Sequence, residues 1–367
     1  MRIFTEGEGF RRRRFLEVES ERVSWLHLLD HRVRIGPAAV RAGCIAGVGT
    51  HHRHRRKGYS RLLMEDTTRS MLDEGFDVAL LFGIEHFYHK FGYASCMPDV
   101  TATVPTRELE RAIAPGRTGQ PRFSARPSTD GDLGPIVDLY NENNSRRPLS
   151  VVRTQECFAG FDQGSGFHRE PEVIVLEDAS GAFAGYAVCD ALPARTTVAE
   201  VEVKDPAALG AVLAEVLRTA VERRDGEVTF RLPADHLMVH VLRRIGCVVK
   251  VEHRNTGGAM GRIINQDSLL GKLVEAYSGE RGAGASGLLE IEVRTELGVT
   301  EVAVPAARSG RGTLVIPHAA LFQAVTGFRK AREVAISPGV EIAGEGGALL
   351  EFLEPEQEPH MYGPDHF

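Results

Sequence analysis

The sequence predicts a mixed chain, α+β and α/β in character, built from three consecutive units. Three observations carry this. At 367 residues the chain exceeds one ordinary hydrophobic core and suits two or three. Strand-like runs and helical stretches follow one order through the first third, and the same order returns in the middle. A break rich in Pro and Gly at 114–124 separates the two, and a further helix-plus-strand pattern begins near Ile263. The units are placed at 1–120, 121–262 and 263–367.

The elements follow from local pattern. Runs at 15–18, 23–29 and 32–35 are short, rich in Val, Ile, Phe and Trp, and broken by charged pairs, so they predict an antiparallel meander. Residues 44–50 form another apolar strand, followed at once by a basic turn. From Tyr59, Leu62, Leu63, Asp66, Thr67, Ser70 and Met71 recur at helical spacing, and Gly75 ends the helix. The nearly continuous apolar run 76–82 suits a strand covered on both faces. A short helical stretch at 83–91 then leads to an extended Gly92-Tyr93. In the second unit, 128–132 has the look of a helix N-cap region before Leu133, Ile136, Val137 and Tyr140. Strands at 173–176, 184–189 and 227–232 and a helix at 207–221 follow. The third unit has helices at 268–277 and 319–326, strands at 288–293, 300–304 and 313–316, and a final strand at 348–353.

Composition narrows the function. The chain is 43% hydrophobic and 26% charged, the profile of a globular protein. A net charge of -6 gives no overall pull toward nucleic acid. No apolar run approaches the roughly 18–20 residues that span a bilayer, and the first residues lack a signal-peptide pattern. The five cysteines are scattered, with no CxxC pair. A disulfide framework and a structural zinc site are therefore not expected, and the expected compartment is reducing, the cytoplasm.

The chemistry concentrates in Arg55-Arg56-Lys57-Gly58-Tyr59-Ser60-Arg61. A strand, a glycine turn and a helix together build an anion site, because the first helical N–H groups lack partners and the helix dipole is positive there. Gly58 lets backbone approach a phosphate, and the arginines and lysine add charge. A solvated basic loop is the competing reading of the same residues. His51, His52 and His54 suggest a metal site, but they stand in a positive field with no carboxylate near in sequence, so no metal is expected. Arg11 to Arg14 read as a nucleic-acid patch or, more commonly, a solvated face. Trp25 suits core packing first and an acceptor pocket second. Cys44 and Cys96 suit small apolar packing rather than nucleophilic attack.

One strand further on stands Phe87-Tyr88-His89-Lys90-Phe91-Gly92-Tyr93. Together with Arg55-x-x-Gly58-x-Ser60, this segment resembles the GNAT acetyltransferase superfamily, with Ser60 replacing the usual Gly or Ala. The two motifs and the ending Asp365-His366-Phe367 resemble the enhanced intracellular survival (Eis) type within it. That resemblance implies two tandem GNAT-like domains, the first short at its N-terminus and the second degenerate, plus a C-terminal α+β domain like sterol carrier protein. It also implies acetyl-CoA as co-substrate. Val48, Gly49 and Thr50 would align the pantetheine arm, Arg55 to Arg61 would hold the pyrophosphate, and Gly83 and Ile84 would flank the thioester. Tyr88 would act as general acid and the terminal carboxylate of Phe367 as base.

The expected activity is acetyl transfer to an amine, an aminoglycoside-like polyamine or a lysine side chain, with an acidic acceptor pocket favouring polycations. The family also implies a homo-oligomer, often a hexamer. The meander starts near Phe15, earlier than a full GNAT domain allows, which leaves the acceptor wall short. A catalytically impaired protein that binds coenzyme A or lipid for regulation is the second reading.

Overall fold

The computed structural model describes residues 1–84, 86–113, 122–161, 171–192, 195–254 and 256–367. The chain opens with β1 (Arg2–Glu6), β2 (Arg11–Val18), β3 (Glu21–Ile35) and β4 (Ala38–Thr50), then α1 (Tyr59–Asp73), β5 (Val78–Gly83) and the short β6 (Ala94–Ser95). There follow β7 (Asp99–Pro105), α2 (Thr106–Ile113), β8 (Phe123–Pro127), α3 (Leu133–Asn143), β9 (Glu172–Asp178), β10 (Phe183–Leu192) and β11 (Arg195–Val203). The middle closes with α4 (Leu209–Arg223), β12 (Glu227–Phe230), α5 (Leu237–Ile245), β13 (Val248–Glu252) and β14 (Gly258–Ile263). The last part is α6 (Gln266–Arg281), β15 (Gly287–Thr295), β16 (Gly298–Ala306), β17 (Gly310–Val315), α7 (His318–Val325), α8 (Ala331–Ala335), β18 (Glu341–Gly344) and α9 (Ala348–Leu353).

These strands make three sheets, but the sheets exchange strands across the expected boundaries. The first is ordered β1-β2-β3-β4-β5-β14-β6 and the second β13-β7-β12-β11-β10-β9-β8. Residues 99–105, expected in the first unit, pair with β12 and β13 in the second sheet. Residues 258–263, expected in the second, lie between β5 and β6 in the first. Chain order alone does not show this, because an apolar strand carries no label for its partner. The 114–124 break falls mostly on residues outside those described. The third sheet is β16-β15-β17-β18.

Three local expectations differ from the structure. The meander begins at Arg2, since β1 pairs antiparallel with β2. Residues 23–29 and 32–35 belong to one strand, because pairing with β4 runs unbroken through Asp30–Gly43 and His31–Ala42, and the Asp30 charge is met by Arg41, whose Nε donates to Asp30 Oδ1 at 3.0 Å. Residues 348–353 are helical. Leu349, Leu350 and Leu353 are its buried residues, a spacing that suits one face of a helix better than a strand.

The units are bonded through buried charges. Asp77, fully buried after α1, accepts from Lys272 Nζ of α6 at 2.7 and 2.6 Å. Arg34 at the end of β3 donates to the carbonyls of Val151 (3.0 Å) and Asn141 (3.1 Å). The tail is held most firmly. Arg153 donates to both oxygens of Glu200 (2.7 and 2.6 Å) and both of Asp365 (2.8 and 3.0 Å), and Tyr140 Oη donates to Asp365 Oδ2 at 2.8 Å. The Arg153 and Glu200 side chains have 0% exposure.

Removing one partner from such a cluster strands the others in a dry interior. Arg153→Met is expected to lower unfolding free energy by about 3–5 kcal/mol, read from urea midpoints. A loss near that of an exposed ion pair, under about 1 kcal/mol, would show that the cluster does not pin the tail.

Candidate active site

The site starts from an interruption in pairing. β4 and β5 run parallel and pair from Ala42–Val78 to Ile45–Leu81. Beyond Ile45, β4 keeps only β3 as a partner, out to Ser24–Thr50. The register between β3 and β4 shifts between Trp25 and His27, where β4 carries an extra residue. Gly47 sits in that bulge with φ +56°, a left-handed value that favours glycine. The bulge turns β4 away from β5, so residues 46–50 present an unpaired backbone edge to a gap. Val48, Gly49 and Thr50 lie on this edge. Trp25 packs against Gly49, where a Cβ would meet the indole at 2.5 Å.

The basic turn closes one end of the gap. A 3-10 turn at His52–His54 leads into Arg55 and Lys57, with Arg56 (φ +64°) and Gly58 (φ +82°) both left-handed. Gly58 is the N-cap of α1, and no side chain caps the helix. The first N–H groups of Tyr59, Ser60 and Arg61 therefore face outward with the dipole behind them. Nothing lies within 4 Å of where a Gly58 Cβ would stand, so this cradle is open. Arg55, Arg56 and Lys57 are exposed around it. The residues present fit a pyrophosphate.

The other end of the gap is the end of β5. Gly83 is its last residue, and a Cβ there would meet the Tyr88 ring at 2.8 Å. Tyr88 is buried in a 3-10 turn, Tyr88–Phe91, edge-on to Phe87 and Tyr93. Burial pushes its phenol pKa upward, so the hydroxyl stays protonated at neutral pH. Ile84, by contrast, is 59% exposed.

The chain's end reaches the same strand from the opposite face. Leu81 packs with Tyr88 and α1, whereas Leu80 and Phe82 pack with the other cluster, which takes in Phe367. Phe367 lies 5.4 Å from Phe82 between ring centroids, and His366 lies 4.4 Å from it. Successive strand residues point to opposite faces. The structure thus brings residues 48–61, Gly83 and Tyr88 around one gap and places Phe367 across the strand that borders it.

Several residues outside this set have firmer roles than the sequence suggested. Arg12 pairs with Glu74 (2.7 Å) and Arg14 with Asp66 and Ser70, so the basic run clamps α1 onto β2. Cys44 and Cys96 are fully buried, with desolvation pushing both thiols up. A carboxylate does reach the histidines: Glu21, at the start of β3, stands 3.0 Å from His54 and 4.0 Å from His51. Ligand atoms of Glu21, His51 and His54 lie within 4.8 Å of one another. Sequence distance hid this, because the hairpin folds Glu21 back. Three ligands are one fewer than a closed zinc site needs, and Lys57 Nζ stands 3.5 Å from the His54 ring.

The close-packed charged residues that the sequence did not signal lie around the tail. Arg153, Glu200 and Asp365 are far apart in sequence, and His360, Arg231 and Arg254 meet only through packing. The one hint was the ending Asp365-His366-Phe367.

Residues 11–96 match the model of an acetyltransferase (GNAT) domain. No curated protein matches the chain. Among solved structures, a GCN5-related N-acetyltransferase from Kribbella flavida is similar at 18% identity, with 97% of this chain and 88% of that one covered and a TM-score of 0.72. One from Anabaena variabilis is similar at 15% identity, with 97% and 89% covered and a TM-score of 0.72. Eis1 from Mycobacterium abscessus is similar at 15% identity, with 98% and 90% covered and a TM-score of 0.67. Residues 11–96 are a GNAT-superfamily acetyltransferase domain, set in a fold shared over nearly the whole chain with these structures.

Proposed function

We propose that this protein transfers an acetyl group from acetyl-CoA to an amine. The observation that carries the reading is the parting of β4 and β5 after Ile45 and Leu81, with the uncapped N-terminus of α1 at its mouth. The unpaired edge at Val48, Gly49 and Thr50 suits backbone hydrogen bonds to the amides of a pantetheine arm. Arg55, Arg56, Lys57, Gly58, Tyr59, Ser60 and Arg61 suit its pyrophosphate, and Gly83 and Ile84 flank the reacting end.

Acetyl-CoA supplies an activated acyl group: the amine nitrogen forms the new C–N bond, the C–S bond breaks, and the departing thiolate needs a proton. Tyr88 is the residue for that proton, as a buried phenol with a raised pKa beside Gly83. An amine of pKa about 10 is mostly protonated at neutral pH, so a base must take its proton. The carboxylate of Phe367 is that base in our reading, held by the ring's packing on Phe82 and by the Asp365 anchor. We read the C-terminal unit as sterol-carrier-like, with its helices on one face of the third sheet and its tail delivered to the first.

Tyr88→Phe is expected to cut kcat about 10²–10⁴-fold with little change in the KM for acetyl-CoA, measured by thiol release. An unchanged kcat would remove Tyr88 from the mechanism. A short Gly-Ser extension after Phe367 should lower kcat while acetyl-CoA still binds by calorimetry; an unaffected rate would exclude the terminal carboxylate. Arg56 is exposed, so Arg56→Glu should leave the fold intact. Its KM for acetyl-CoA should rise about tenfold to a hundredfold, the scale of lost hydrogen bonds to a charged group, and an unchanged KM would move the pyrophosphate elsewhere.

A further inference from the structure

The turn that carries Tyr88 is fastened from outside its own unit. It runs Tyr88–Phe91, and no side chain caps its N-terminal end. Gly92 (φ +78°) closes it, donating its N–H to the His89 carbonyl at 3.0 Å, and the Tyr93 N–H reaches the Tyr88 carbonyl at 3.4 Å. The carbonyls of Phe91 and Gly92, where the chain leaves the turn, each accept from a side chain far along the sequence. Arg262 of β14 donates to Phe91. His318, the first residue of α7, donates from Nε2 to Gly92 at 2.9 Å.

The His318 ring is itself held. It is buried, and its other nitrogen, Nδ1, lies 2.6 Å from Glu296 Oε1. The second oxygen of Glu296 accepts from the His318 backbone N–H at 2.9 Å. One carboxylate therefore fixes both the ring and the helix end on which it stands. A carbonyl and a carboxylate only accept, so both ring nitrogens donate. Glu296 faces a second cation as well: burial works against the Arg262 charge, and Tyr93 and Glu296 favour it. The fit at Gly92 is close, since a Cβ there would stand 2.7 Å from His318 Nε2. Glycine is required at this position twice, by its backbone angle and by the ring.

We propose that His318 and Glu296 are positioning residues for Tyr88, holding its turn so that the phenol keeps its place beside Gly83. Neither touches the reacting atoms. This inference rests on the acetyl-transfer reading and deepens it, giving the third unit a task separate from delivering the tail.

The test measures thiol release from acetyl-CoA with a panel of amines in Glu296→Ala, Glu296→Gln and His318→Leu, each alone and combined with Tyr88→Phe. The Glu296 side chain is 53% exposed, so Glu296→Ala should fold; His318→Leu is read alongside its melting temperature. Both should lower kcat about tenfold to a hundredfold, the scale of a misplaced catalytic group, with the KM for acetyl-CoA unchanged. Glu296→Gln should recover most of that loss. Its amide can donate to Nδ1 and accept from the backbone N–H, while Nε2 still donates to Gly92. In the Tyr88→Phe background the same changes should lower kcat no further, because an absent hydroxyl cannot be misplaced. Equal losses with and without that hydroxyl, or a raised KM with kcat intact, overturn the proposal. Backbone amide exchange over residues 87–93 needs no turnover and should quicken in Glu296→Ala. Unchanged exchange overturns the proposal, and quickened exchange with unchanged kcat does so while leaving acetyl transfer standing. Turnover of no amine, in a protein that binds acetyl-CoA, overturns both.

Discussion

One guanidinium group holds the end of this molecule in place. Arg153 sits in a dry interior between Glu200, on a strand of the second sheet, and Asp365, two residues from the terminus. Two carboxylates so close would repel each other without it. The cation makes their approach favourable, and the Tyr140 and Tyr186 hydroxyls take up remaining acceptor sites. From that anchor the last residues have one course, with Tyr362 in the core of the second sheet, His366 on Phe82 and Phe367, half-buried, packed against the core that Leu80 and Phe82 share. A terminus ordinarily frays. Here the middle unit supplies the fixed point, which gives that unit a purpose although it lacks a basic glycine turn of its own.

The end of β5 acts as a partition. On one face stand α1 and Tyr88, on the other Phe82 and the tail. Donor-side groups, from the unpaired edge of β4 to the mouth of α1, lie along the gap that this strand borders. A cavity lined by Phe82, His360 and His366 opens on the tail side. Tyr88 and Phe367 thus lie on opposite faces of one strand.

Much of the donor side was legible in the sequence, because it is local. A strand, a glycine and a helix within some twenty residues specify a turn, and Gly58 and Ser60 stand where the pattern puts them. The bulge at Gly47 was not legible, since only the count of residues facing β3 reveals it. The tail side was hidden for a different reason. Arg153, Glu200, Arg231, His360 and Asp365 are spread over more than half the chain, and no periodicity links an arginine to a carboxylate in another unit. Charge likewise misled at Arg12 and Arg14, where a basic run that suggested an outward face is spent on holding α1. Residues 348–353, five apolar residues and Glu351, are too short a stretch for periodicity to separate strand from helix.

The exchange of β7 and β14 between sheets has a consequence for how the protein is made. β5 is complete at Gly83, but its neighbour on one side is β14, which pairs with it from Gly258 to Ile263. On the ribosome the first sheet therefore waits, with an open apolar edge, until the whole middle unit has emerged. Such long-range pairing is slow and exposes strand edges to other chains. The domain that carries the acetyltransferase motifs is the first to be synthesised and among the last to be finished. A fragment cut after the first unit would keep the motifs and lose the strand that completes them.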